Sequence, residues 1–329
     1  MPNLYHPERF QGSLDRRSYF EGWYFKIAIE EPQPEVIAFI PGIALGEDSH
    51  AFIQVISSRE GRSWYVRFPL ASFHAGTHNF SIAIGDNHFS KNSISLSLHQ
   101  SGLDLEASIT LIDLQPFPVS LTSVGVMGWF AYLPAMECKH GVVATHGSAE
   151  GNLTLNNRTV PIKRSSVYSE KDWGKSFPTA YLWMHANCFS DASTSVMLSI
   201  ARIPYLGLRF TGFLGFVQLK DEMIHLGTYT NAKIVSLQTT DQEAKVVISK
   251  KDRMLTFTAR MGSGSHLASP RNGAMDGSIT ESVEGTLSLA ISDRSGRTLY
   301  ADESGLAGIE LYNCCTLEKR SAMEAHKKV

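Results

Sequence analysis

The run Ser93-Ile94-Ser95-Leu96-Ser97-Leu98-His99-Gln100-Ser101-Gly102-Leu103-Asp104-Leu105-Glu106-Ala107-Ser108-Ile109-Thr110-Leu111 alternates apolar and polar residues on either side of Ser101-Gly102. Period two places Ile94, Leu96 and Leu98, and then Leu103, Leu105, Ala107, Ile109 and Leu111, on one face of an extended chain. The break between them has the residues of a hairpin turn. The pattern returns near the end. Leu255, Phe257 and Ala259 alternate with Thr256, Thr258 and Arg260; Leu287, Leu289 and Ile291 alternate with Thr286, Ser288 and Ala290. Further turn signals stand at Gly85-Asp86-Asn87, Asn156-Asn157 and Ser295-Gly296. Helical periodicity is confined to the polar, Lys-rich tail Thr316–Val329, read as a frayed helix. Many short strands at regular spacing predict barrels or sandwiches.

Working outward, the 329 residues suit two β domains, expected at 1–163 and 164–329 with the boundary in polar Lys163–Ser166. Hydrophobic residues at 43% and charged residues at 19% provide a large core. A net charge of −2 gives no electrostatic footprint for nucleic acid. Cys138, Cys188, Cys314 and Cys315 form neither a disulfide framework nor a zinc ribbon. Met1–Phe20 lacks the apolar core of a signal peptide, so a cytoplasmic location is expected. Leu114–Met136 is uncharged, but Pro116, Pro118 and Pro134 favour strands and turns over a membrane helix. Met261–Gly285, with five glycines and a proline, reads as a long loop able to form a lid or pocket rim.

Three stretches put aromatic residues beside ionisable ones. In Phe20-Glu21-Gly22-Trp23-Tyr24-Phe25-Lys26, an extended chain sets Glu21, Trp23 and Phe25 on one face. Trp23 and Phe25 read as core, whereas a buried Glu21 needs a partner. In Met136-Glu137-Cys138-Lys139-His140-Gly141-Val142, Glu137 and His140 point to opposite faces if extended. A shared metal is therefore not expected, and His140 reads as a satisfied structural histidine. The densest stretch is Tyr168-Ser169-Glu170-Lys171-Asp172-Trp173-Gly174, followed by the strand Tyr181–Phe189. Glu170 and Asp172 share a face, with Lys171 opposite; like-charge repulsion then raises the pKa of one carboxyl and makes it a usable acid. Tyr181, Trp183, His185, Asn187 and Phe189 share the polar-aromatic face of the next strand, which reads as a ligand pocket or a buried polar network. No G-x-G-x-x-G, P-loop, G-x-S-x-G or H-E-x-x-H motif occurs, so no cofactor and no metal is expected.

At these residues the chain resembles the tocopherol cyclase family, in the lipocalin-like group that also holds carotenoid 1,2-hydratases. The resemblance is carried by Phe20–Lys26, Met136–Val142, Glu170–Pro178, Tyr181–Phe189 and the loop His266–Ser282. Tyr181 and His185 depart from the family's usual Trp and Gln, which leaves the substrate open. The resemblance implies an all-β fold of two lipocalin-like antiparallel barrels packed together. It also implies a cofactor-independent cyclase, isomerase or hydratase acting on an apolar prenylated or polyene substrate.

On that basis the expected catalytic residues are Asp172 as acid, Glu170 as its pKa-raising neighbour and His185 as the group that orients or deprotonates the attacking hydroxyl. Trp183, Trp173 and Tyr181 would face the substrate cation, with Asn187, Tyr168, Glu137, Trp23 and Glu21 completing the pocket. The competing structural reading has Asp172 bonding turn amides and Lys171 pairing across a domain interface. The rival function is a non-catalytic lipocalin-like carrier of a quinone, carotenoid or other lipid. An apolar substrate also implies peripheral membrane contact, with Ile203–Phe210 either an inserting loop or, the preferred reading, a buried strand.

Overall fold

In the computed structural model, residues 4–121 and 123–317 are described. The expected tail helix lies outside them beyond Leu317. The architecture is all-β: two antiparallel, lipocalin-like sheets account for almost all regular structure. The first sheet contains β1 (Tyr19–Ile29), β2 (Glu35–Leu45), β3 (His50–Ser57), β4 (Arg62–Pro69), β5 (Phe73–Ala75), β6 (Ser81–Ile84), β7 (Asn87–Ser90), β8 (Ser93–Gln100), β9 (Leu103–Pro116), β10 (Cys138–Leu155) and β11 (Arg158–Gly174). Its order is β4-β3-β2-β1-β11-β10-β9-β8-β7-β6-β5. The two end strands are consecutive in sequence, joined by a 3-10 turn at Leu70–Ser72, so the sheet curls into a nearly closed barrel.

The second sheet contains β12 (Tyr181–Ala186), β13 (Ser195–Tyr205), β14 (Leu208–Gln218), β15 (Met223–Gly227), β16 (Lys233–Thr239), β17 (Glu243–Lys250), β18 (Arg253–Arg260), β19 (Gly264–Arg271), β20 (Ala274–Asp293) and β21 (Thr298–Tyr312). It runs β15-β14-β13-β12-β21-β20-β18-β17-β16, with β19 pairing β20. The alternating runs become the cores. Ile94, Leu96, Leu98, Leu105 and Ile109 are buried in the first, with Trp23, Phe25 and Ile27. Leu255, Phe257, Leu287 and Leu289 are buried in the second, with Leu182 and Met184. Each such side chain contributes about 1.5–3 kcal/mol through removal from water. The expected turns carry the left-handed backbone they require at Gly85, Gly102, Asn156, Asn157 and Gly296.

The chain divides differently from the expected 163/164 boundary. One compact unit comprises Met1–Gly125, Cys138–Phe177 and Leu267–Ser278; the other comprises Val126–Glu137, Pro178–His266 and Ile279–Val329. The polar stretch read as a linker lies inside β11. Ile162 and Ser165 are buried there, Lys163 and Arg164 are exposed, and Arg164 is left-handed at φ 48°. A strand irregularity with its polar side outward gives the same local composition as a linker.

Met261–Gly285 is likewise not a loop. Most of it forms the β19–β20 hairpin, turning at Asn272-Gly273 with both residues at positive φ. Its tip is pinned within the first unit: the Gly273 amide donates to the Lys175 carbonyl at 2.7 Å, and the Asn272 amide to Ser176 Oγ at 2.8 Å. The Ile203–Phe210 stretch is the tip of the β13–β14 hairpin, with Leu206 and Leu208 exposed. Among the described residues, no helix is long and apolar enough to cross a membrane.

Candidate functional site

Strands β1, β11 and β10 lie side by side, and their register decides which groups meet. Trp23 stands opposite Lys171 and Glu21 opposite Trp173, on the face turned to the first core. Gly22 stands opposite Asp172, and Asp172 opposite His140, on the other face. Consecutive residues of β11 therefore serve two different environments.

The inward group is a buried ion pair. Lys171 Nζ lies 2.5 Å from Glu21 Oε1, and neither side chain is exposed. Glu21 also accepts from the Gln11 amide at 2.8 Å, the Gly12 amide at 3.1 Å and the Tyr19 hydroxyl. Lys171 donates to the Arg9 carbonyl, and Trp23 Nε1 to the Glu8 carbonyl at 2.8 Å. The pair thus ties the N-terminal segment onto the barrel. The Lys171 ammonium sits 4.7 Å from the Trp23 ring centroid and 5.0 Å from that of Trp173. Glu21, Trp23 and Trp173 thus gather around Lys171 in one cluster on the inward face. Lys171 pairs inside its own unit rather than across an interface. Burial pulls the Lys171 ammonium below its usual range, against the opposing pull of Glu21.

The outward group is a chain of close polar contacts. The Tyr168 hydroxyl donates to Glu170 Oε2 at 2.5 Å. His140 Nε2 lies 3.2 Å from the same oxygen, and His140 Nδ1 lies 3.0 Å from Asp172 Oδ1. Cys138 Sγ reaches Asp172 Oδ1 at 3.7 Å. Asp172, with 24% of its side chain exposed, is the most accessible of the three ionisable groups. Burial disfavours the His140 cation, but Glu170 and Asp172 together outweigh it and lift His140 well above its ordinary value. Burial, and then Glu170, hold the Tyr168 phenol well above its own. Glu170 and Asp172 share a face, as read from the sequence. The imidazole standing between them offsets the direct repulsion expected there.

Gly22 leaves the position beside Asp172 without a side chain. An ideal Cβ built on half-buried Gly22 would be 3.7 Å from Ile40 Cγ2 and 3.9 Å from Phe52 Cζ. The next residue across the sheet, Gly42, is covered by the Phe52 ring. The row His140-Asp172-Gly22-Gly42 thus runs from an ionisable end to an aromatic one.

His140, Glu170 and Asp172 are also the one group among the described residues whose ligand atoms could hold a metal, lying within 4.8 Å of one another. Their geometry fits a proton better. The two imidazole nitrogens address two different carboxylates, whereas a metal takes one nitrogen and draws the carboxylates to it. Glu137, which seemed to share a strand with His140, sits half-buried at the bend before β10.

The remaining expected residues belong to the second unit. Tyr181, Trp183 and His185 share the face of β12 turned away from the core of Leu182, Met184 and Ala186. Trp183 stacks on His185 with centroids 6.3 Å apart, and the Tyr181 hydroxyl donates to Glu310 Oε2 at 2.5 Å. Gly308 opposite His185 makes room for the Trp183 ring, which a Cβ there would meet at 2.8 Å. Asn187 is buried just past the end of β12. The strand stops at Ala186, so the alternation breaks and Phe189 joins the core instead of the polar face. His140 and Gly22 were passed over as site residues. Their signal was that the stretches around Gly22, His140 and Asp172 all belonged to the same resemblance and proved to be adjacent strands.

A family model described as tocopherol cyclase-like matches residues 117–312. The chain is 32% identical over 74 residues to a protein from Oryza sativa subsp. japonica named probable tocopherol cyclase, chloroplastic, covering 22% of this chain and 16% of that one. The match thus spans well under a fifth of that relative's length. In structure the chain is similar to a putative AttH from Nitrosomonas europaea, with a TM-score of 0.57 and 15% identity over 93% of this chain and 96% of the other. It is also similar to CghA, solved with Sch210972, with a TM-score of 0.54 and 9% identity over 90% of this chain and 88% of the other. At such identities these two likenesses establish the fold. The family match takes in more than half of the residues, including β12 and the whole run from Tyr168 to His140, and the chain belongs to the tocopherol cyclase-like family.

Proposed function

We propose that this chain is a cyclase- or hydratase-type enzyme that protonates an alkene of an apolar, prenylated or polyene substrate, with Asp172 as proton donor. The observation supporting this reading is the run Tyr168–Glu170–His140–Asp172, which ends at its most exposed carboxylate beside Gly22. The rice relative's name, which is that of a cyclase, supports the same class of reaction.

Asp172 takes the proton held by the His140 imidazolium and gives it to one alkene carbon. The π electrons form the new C–H bond and leave a tertiary cation on the other carbon. A hydroxyl oxygen of the substrate, or of water, closes the C–O bond, and its proton returns to Asp172. His140 stabilises the carboxylate that donation creates, and Glu170 and Tyr168 hold the imidazole in place. With that proton gone, two carboxylates beside a neutral imidazole leave a net negative field for the substrate cation. His185 and Asn187 belong to the buried network of the second unit and carry no step here.

The test is incubation of the full chain with a prenylated hydroquinone in deuterium oxide. One deuterium on the newly saturated carbon of a cyclised product is expected. Asp172→Asn should lower turnover by about 10²–10⁴-fold, the usual contribution of a general acid. Full turnover by both Asp172→Asn and Glu170→Gln would overturn the assignment.

A further inference from the structure

The tip of the β13–β14 hairpin extends past its neighbours in the second sheet. β12 pairs β13 as far as Ala201, and β15 pairs β14 from Leu214 onward. Between those limits, among the described residues, Ile203–Tyr205 and Leu208–Phe210 pair with each other alone. Two strands by themselves are marginal in water. A second segment of the same unit packs on this ribbon. Phe130 stacks on Phe210 with centroids 6.3 Å apart, and Trp129 stacks on Phe130 at 4.2 Å. Met127 and Met136 line one hollow with Ile203 and Phe210. The Tyr229 hydroxyl donates to the Val126 carbonyl at 2.6 Å and fastens the segment.

The supported ribbon ends in exposed apolar groups. Leu206 is 77% and Leu208 74% exposed, and Trp129 and Tyr132 on the packed segment are exposed as well. Apolar surface gathered in one place marks a contact with another phase or molecule. The charge around it has one sign. From Ser195 to Leu219 the charged residues are Arg202 and exposed Arg209, and from Val126 to Met136 there is none. The acids Asp221 and Glu222 sit in the turn at the far end of β14, about 30 Å along the strand from Leu208. Aliphatic side chains at a tip, tryptophan and tyrosine behind them and arginine beside them suit the layers of an anionic bilayer. A second copy meeting through the same face would bring two Arg209 side chains together without an acid from either strand.

We infer that the β13–β14 hairpin and the Trp129 segment form a docking surface for an anionic phospholipid bilayer. Leu206 and Leu208 enter the acyl boundary, Trp129 and Tyr132 lie at headgroup level, and Arg209 meets lipid phosphate. This surface does not depend on the reaction proposed for the acid run.

The experiment is co-sedimentation of the full chain with vesicles of equal parts phosphatidylcholine and phosphatidylglycerol, and with vesicles of phosphatidylcholine alone. Binding to the anionic vesicles should be about tenfold tighter and should weaken as salt rises. Leu206→Ser combined with Leu208→Ser should weaken it by about tenfold or more. Arg209→Gln should cost about fivefold on anionic vesicles and little on neutral ones. Melting curves identify a variant that does not fold. A second readout keeps the native hairpin: Trp129 is the exposed one of the five tryptophans, so brominated lipid should quench wild-type fluorescence and leave Trp129→Phe nearly unquenched. No sedimentation with anionic vesicles, full binding by the folded serine pair, or quenching that persists in Trp129→Phe would each overturn the inference. So would a dimer in lipid-free buffer that the serine pair abolishes, which would assign this face to a second copy.

Discussion

Glu21 Oε1 and Lys171 Nζ meet at 2.5 Å with neither side chain exposed, and the next residue on the same strand, Asp172, bonds His140 on the opposite face. The buried pair fixes β11 against β1 and the N-terminal segment from one side. The acid run is built on the other side of that rigid strand. A site whose supporting strand is clamped in this way holds its geometry without relying on a loop.

Lys171→Met would leave Glu21 buried without its counter-charge. A loss of about 3–5 kcal/mol is expected, because the desolvation of one ion is no longer compensated. The double variant Glu21→Gln with Lys171→Met should lose less than the single one. Urea unfolding of the three proteins checks this. A single variant as stable as wild type would show that the pair does not hold the barrel.

The raised His140 value sets a pH dependence. The folded protein holds the His140 proton more tightly than the unfolded chain does. The resulting stability is complete below the ordinary value of 6.5 and is lost as pH rises through the folded value. Wild type should therefore exceed His140→Gln most at about pH 6, and the gap should narrow as pH rises from there. Melting temperatures across that range test it. A gap that widens with pH would mean that His140 is held neutral.

Much of the fold is legible because alternation is a local property. Ile94–Leu98 and Leu103–Leu111 became β8 and β9 with their apolar side inward, and Asn156-Asn157 turned where expected. Glu170 and Asp172 on one face, with Lys171 opposite, followed from the same period. What failed depends on residues far apart in sequence. Nothing near His140 announces that register will set it against Asp172, 32 positions on. Glu21 signalled its need for a partner but not that Lys171 would supply it. The hairpin at Asn272-Gly273 was lost among surrounding glycines. The 163/164 boundary failed because a bulged, outward-facing strand segment has the composition of a linker.

Two glycines that face each other across β1 and β2 should respond differently. At Gly42 a Cβ would lie 2.5 Å from Phe52 Cζ and 2.6 Å from the Glu21 carbonyl oxygen, which is main chain and cannot yield. Gly42→Ala should cost about 1–3 kcal/mol through overpacking. Gly22→Ala meets only ordinary contacts and should stay within about 0.5 kcal/mol of wild type. It adds a methyl group next to Asp172, so KM for the prenylated substrate should rise while the melting temperature holds. Unchanged kinetics for Gly22→Ala would move the substrate away from this row.

Gln54 acts as a piece of strand. It is nearly fully buried, its Nε2 donates to the Ala268 carbonyl at 3.2 Å, and its Oε1 accepts from the Ala268 amide at 2.9 Å. The side-chain amide thereby pairs with β19 as a neighbouring main chain would. Gln54→Leu has a similar shape but cannot make either bond, leaving Ala268 with two unmatched main-chain groups at about 1–3 kcal/mol for each buried one. The hairpin tip keeps its own anchors at Lys175 and Ser176, so the variant should loosen β19 locally without releasing the turn. Hydrogen exchange followed by mass spectrometry should show faster exchange at Ala268 and unchanged protection at Gly273. Equal loss at both positions would mean that the hairpin detaches as one body and that Gln54, rather than the turn contacts, is its main attachment.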